Sequence, residues 1–144
     1  MMNDPAVLDH CRDVIQACLN VVDQQGDAYV AIHKENGAEC VVVVSMLRTR
    51  PILSIIIADK FLFAAQHSTK LLSAANNLNS DSLIGWHSIQ TSDDVPIYMY
   101  RQCIWMTMAL DADTLMDMIQ DCISEYLHGR DYLISQDEGP DPCA

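Results

Sequence analysis

Apolar residues recur at helical spacing from Val7 through Leu8, Cys11, Val14, Ile15, Cys18, Val21 and Val22, while Asp9, Arg12, Asp13, Gln16 and Asn20 fill the other face. Asn3 or Asp4 can cap this helix, with Pro5 at its favoured first-turn position, and Gln25-Gly26-Asp27 ends it. The period then changes to two. Ala28 to Lys34 alternates, Glu35-Asn36-Gly37 carries the Asn-Gly signal of a tight hairpin, and Cys40 to Leu47 is rich in β-branched residues. After the break at Arg48-Thr49-Arg50-Pro51, Ile52 to Ala58 is a third such run. The continuous apolar character of the second and third runs predicts central strands in an antiparallel meander.

Asp59 can cap a second helix with Phe61, Leu62, Ala65, Leu72, Ala75 and Leu78 on one stripe; its Asn-rich end suits the left-handed closing conformation. Leu83 to Gln90 and Pro96 to Met108 read as a strand pair joined by the polar loop Thr91-Ser92-Asp93-Asp94. A last helix starts at Asp111 or Asp113, carries Leu115, Met118, Ile119, Cys122, Ile123 and Tyr126, and stops at Gly129. The predicted order is α-β-β-β-α-β-β-α: an α+β domain over residues 1–134 with five strands in a mostly antiparallel sheet, helices packed on it, and a disordered acidic tail over 135–144.

With 144 residues the chain is long enough for one core, and no apolar run approaches the length of a membrane-spanning helix. The N-terminus lacks the basic start and apolar middle of a signal peptide, so a cytoplasmic protein is the expectation. A net charge of −12 repels nucleic-acid phosphates and anionic lipid, which disfavours both as partners and favours basic or apolar protein segments. The six cysteines form no Cys-x-x-Cys; the first five are expected as reduced core thiols and Cys143 as an exposed one.

Candidate chemistry is sparse. His10 and Cys11 are helix neighbours that point about 100° apart, and no metal-ligand spacing occurs, so no metal site or cofactor is expected. The five glycines build no phosphate loop. A cysteine nucleophile with a histidine base would have to come from Cys40, Cys103 or Cys122 meeting His33, His67 or His87. Core thiols and surface imidazoles are the plainer reading. Met99, Met106, Met108, Met116 and Met118 gather in the last strand and helix, where core filling competes with an adaptable binding surface. With Tyr98, Tyr100 and Trp105 on the same strand, some large apolar groups are expected to face outward, as a dimer seam or partner groove.

The order of elements resembles the fold shared by type III secretion chaperones and the YbjN family. Leu72-Ser73-Ala74-Ala75-Asn76-Asn77-Leu78-Asn79 resembles the Asn-x-x-Asn helix end of YbjN-like sequences, and Leu110-Asp111-Ala112-Asp113-Thr114-Leu115 resembles their last-helix start. The similarity spans about residues 5 to 130, although the chaperones have a Leu-rich first helix where this chain has Val and Cys. The resemblance implies a non-enzymatic homodimer that binds a client or regulatory partner protein. By position, Ile97, Met99, Ile104 and Met106 become expected dimer-seam residues, and Val30, Ile32 and Val42 expected client contacts. The alternatives are a regulatory or structural dimer without a client, and a small cysteine-dependent or ligand-binding enzyme.

Overall fold

A computed structural model describes residues 4–35, 37–47, 49–60, 68–82, 84–92 and 95–138. The elements are α1 (Pro5–Cys18), β1 (Asp23–Gln25), β2 (Ala28–Glu35), β3 (Ala38–Met46), β4 (Ile52–Lys60), α2 (Ser68–Asp81), β5 (Trp86–Ser92), β6 (Val95–Trp105) and α3 (Ala112–Glu138). All six strands pair antiparallel in the order β1-β2-β3-β4-β6-β5. The α+β class stands, with one more strand than the expected five.

The extra strand comes from the end of the first apolar stripe. Helix α1 stops at Cys18, because Leu19 is already extended, and the Val22 amide donates to the Val30 carbonyl instead of to a helical neighbour. Gly26, at φ +59°, lets Gln25 and Ala28 close a two-residue hairpin, so Gln25-Gly26-Asp27 turns a strand rather than ending a helix. Gly37, at φ +80°, sits in the expected β2–β3 hairpin, which Glu35 and Ala38 close.

Asp59 is a strand residue opposite Tyr98, not a helix cap. Phe61, Leu62 and Ala65 of the expected stripe lie outside the described residues, as does the pair Asp93-Asp94 between β5 and β6. Asp4 caps α1 through the Ala6 amide at 2.9 Å, and Asp111 caps α3 through the Thr114 amide at 2.7 Å. That last bond also holds the exposed Asp111 carboxyl below its usual range. Helix α3 passes through Gly129 and continues to Glu138, past the expected stop and into the stretch expected to be a tail; residues 139–144 lie outside the described residues.

One core holds the layers together. Cys11, Val14 and Ile15 of α1, Leu71, Ala74 and Leu78 of α2, and Leu115, Ile119, Cys122, Tyr126 and Leu133 of α3 are buried against one set of alternating strand positions. These are Tyr29 and Ala31, then Cys40, Val42 and Val44, then Leu53, Ile55 and Ile57, then Tyr98 and Tyr100. The ladder puts them on one face, since Val44 lies opposite both Tyr29 and Ile55, and Ile57 lies opposite Val42 and Tyr100. The described helices therefore all lie on one side of the sheet.

Candidate functional site: an open sheet face and a groove at its edge

Residues of the opposite parity make the second face. Val30 and Ile32 on β2 lie opposite Val43 and Val41 on β3; these lie opposite Ile56 and Ala58 on β4, and Ala58 lies opposite Met99 on β6. Ile97 follows two residues before Met99 on the same face. None of these side chains belongs to the core, and among the described residues no helix covers them. A strand buried on one side alone reads as an alternation, yet here both parities are apolar. That is why the sequence looked like a sheet covered on both faces. The rim is aromatic: Trp105 is 67% exposed opposite Ile52, and Trp86 packs under the Arg101 guanidinium at 5.7 Å.

The seven expected interface residues divide by this alternation. Val30, Ile32, Ile97 and Met99 share the open face. Ile104, opposite Leu53, points to the helix side and packs against the core, and Met106 is only 4% exposed. Val42 is 2% exposed and belongs to the core, but it also lines an opening in it. Tyr98 and Tyr100 are buried, and of the strand's three aromatics Trp105 is the one that faces outward.

The opening is a groove of about 170 Å³ between the end of α1, the edge of β2 and α3, with Leu19, Ala31, Ile32, Val42, Ile119 and Ile123 in its walls. His33, Gln120 and Ile123 continue it into a second hollow of about 300 Å³ beside Glu35. The adjoining strand edge is half empty. Strand β1 pairs only with Ala28, Tyr29 and Val30. The Val30 carbonyl points to β1, so by antiparallel alternation the backbone groups of Ile32 and Lys34 point to the same edge, where no described strand meets them.

Chemistry is not what this region offers. His33 and Cys40 are cross-strand neighbours, one of the cysteine–histidine pairings open from sequence. However, burial, aided by Asp59 and Glu35, pushes the Cys40 thiol up to about 11, the reverse of what a nucleophile needs. Burial pushes Cys122 up to about 12. Cys11, Cys40 and Cys122 are buried as expected, Cys18 is half-buried, and Cys103 is exposed on the open face opposite Ser54. Among the described residues no group of three or more acidic, histidine or cysteine side chains could hold a metal ion, and no helix is long and apolar enough to cross a membrane.

The sequence reading missed the polar cluster that locks this scaffold. Asn79 uses its side-chain amide as a strand would, accepting from the His87 amide at 2.6 Å and donating to the His87 carbonyl at 2.9 Å. It thereby covers the outer edge of β5. The His87 ring is buried between Tyr98 and Tyr100, with Nδ1 2.5 Å from the Tyr98 hydroxyl and Nε2 3.5 Å from Glu125 Oε1. The Asn-x-x-Asn pattern flagged the residue; its role as a clamp needed the register.

No protein-family model and no curated protein sequence matches the chain. Solved structures do. The fold is similar to YbjN of E. coli, a proposed transcription regulator, at a TM-score of 0.63 with 11% identity over 89% of this chain and 90% of that one. It is similar to an uncharacterized protein from Methanothermobacter thermautotrophicus at 0.60 with 10% identity, covering 91% and 99% of the two chains. A chain of the HopA1–SchA chaperone–effector complex matches at 0.54 with 16% identity, covering 88% and 96%. The chain thus has the fold found in YbjN and in the HopA1–SchA chaperone–effector complex.

Proposed function

We propose that this chain is a non-catalytic, cytoplasmic protein-binding module that works as a homodimer. The observation that carries the reading is the sheet's unmet surface: an apolar face with no described cover and a half-empty edge beside an apolar groove. Covering a half-buried aliphatic side chain is worth roughly 1 kcal/mol. Two copies of Val30, Ile32, Val41, Val43, Ile56, Ile97 and Met99 would together supply about 14 kcal/mol gross, the size of the roughly 4–15 kcal/mol that association costs. Ile97 and Met99 of β6 belong to this seam, and Trp105 extends it at the rim.

The edge of β2 is the place for a partner's extended segment. Such a segment would pair with Ile32 and Lys34 and drop every second side chain into the groove over Val42, Ile119 and Ile123. The chaperone–effector complex of like fold supports a protein partner. The test is fluorescence polarisation of a labelled Val-Thr-Val-Lys-Val peptide against the full chain and its Ile32→Pro variant. The Ile32 amide faces the empty edge, so proline there spares the β3 ladder and blocks the new strand. Saturable binding lost in the variant is expected; equal binding by a folded variant contradicts the site.

A further inference from the structure

Strand pairing sorts the open face into rows that run across the sheet. One row reads Asp23 on β1, Val30 on β2, Val43 on β3, Ile56 on β4, Arg101 on β6 and Trp86 on β5. An acid stands towards one end and a base towards the other, with three aliphatic side chains between them. Val43 is the midpoint, two strands from each charge.

Arg101 is an unusual residue for such a face. Its guanidinium lies over the Trp86 ring at 5.7 Å, its Nε is buried without a hydrogen-bond partner, and it makes no ion pair among the described residues. Closing a second surface over an unpaired charge is costly, so whatever covers this face must bring an acceptor to Arg101. The described strands carry two carboxylates on the same face, Asp23 and Glu39. Glu39 already lies 3.9 Å from Lys34. Asp23 is exposed, accepts from the Gln24 amide at 2.8 Å and has no cation beside it among the described residues.

Building on the homodimer reading above, on which this geometry rests, we infer that two copies pack open face to open face about a twofold axis along β3, over Val43, with Asp23 of each copy on Arg101 of the other. Facing sheets lie about 10 Å apart, within the joint reach of a short carboxylate and a long guanidinium. An axis across the strands would instead lay β6 on β6, and β6 carries no acid to meet Arg101. The axis along β3 lays Val43 on Val43 and Val30 on Ile56. In the next row it lays Ile32 on Ala58, beside Met99. Ile32, which is 48% exposed, then fills the space above the small Ala58. Glu39 meets its own copy at the end of the sheet, where each Lys34 stands by to offset it. The interface is self-complementary, so the ion pair forms twice and sets the register.

The test is a charge swap read by sedimentation equilibrium, with circular dichroism confirming that each variant folds. Asp23→Arg and Arg101→Asp each set like charges on one another, so each alone is expected to raise the dimer Kd at least about tenfold. General repulsion would do the opposite for Asp23→Arg, which moves the net charge from −12 towards zero. An equimolar mixture of the two variants restores both pairs in the reverse sense and is expected to associate within about threefold of the native affinity. Folded variants that each dimerise as tightly as the native chain overturn the ion pair and its axis, while the face-to-face dimer still answers to Met99→Lys. A mixture no tighter than its components overturns them as well. A native chain that stays at the mass of one copy overturns the dimer reading itself, and this geometry with it.

Discussion

At the scale of single residues, the protein depends on close approaches that a sequence disguises. Gly129 reads as a helix stop, but a Cβ there would overlap the Tyr98 hydroxyl and come within 3.1 Å of His87 Nδ1. The glycine exists so that α3 can lie against β6, and the helix continues because Tyr132 and Leu133 still pack on the core. Gly→Ala inside a helix ordinarily gains about 1 kcal/mol. Here Gly129→Ala is expected to lose about 2 kcal/mol or more through overpacking, read as a lower urea midpoint; a gain would show that the contact is slack. His87 carries a pH signature. Burial lowers its proton affinity from the ordinary value of 6.5, against an opposing pull from Glu125 and with His128 adding to the lowering. The unfolded chain then takes up a proton that the fold refuses, so stability is present above about 6.5 and falls as pH drops below it. Urea melts across that range should show the slope in the native protein and its loss in His87→Asn. Thiol reactivity follows burial too. In a Cys143→Ser background, Cys103 should react with Ellman's reagent in a folded, dissociated Met99→Lys variant, and Cys11, Cys40 and Cys122 only on unfolding.

At the scale of elements, what holds one to the next is a mixture of apolar stripes and a few polar fasteners. His10 Nε2 lies 2.6 Å from the Leu110 carbonyl and ties α1 to the turn before α3. Asn79 ties α2 to the sheet edge through two bonds. Asn79→Ala is expected to destabilise by about 1–3 kcal/mol and to speed hydrogen exchange at His87; an unchanged exchange rate would deny the clamp. The stripes were legible from sequence because periodicity reports directly which side is buried. The helix caps at Asp4 and Asp111 and the turn at Gly37 were legible for the same local reasons. The short β1 was not. Val21 and Val22 continue the helical pattern, and only the bond from the Val22 amide to the Val30 carbonyl shows that the chain has already left the helix for the sheet edge. Of the expected interface residues, Val30, Ile32, Ile97 and Met99 lie on the open face, Ile104 and Met106 on the helix side, and Val42 in the groove wall. Alternation is hard to use where both parities are apolar.

On the scale of the whole molecule, the three described helices are gathered on one side of a six-stranded sheet, and the other side is mainly aliphatic and without a described cover. A chain with 20 acidic and 8 basic side chains repels its own copies at long range, so self-association is expected at this mainly aliphatic face, on which Arg101 lies opposite Ile56. The proposed dimer is then sensitive to a charge placed among the aliphatic side chains. Sedimentation equilibrium of the full chain at micromolar concentration tests the account most directly. The account predicts a mass approaching twice the 16.1 kDa of one chain, reverting to one chain in a folded Met99→Lys variant. A single-chain mass for the native protein across that range would contradict it.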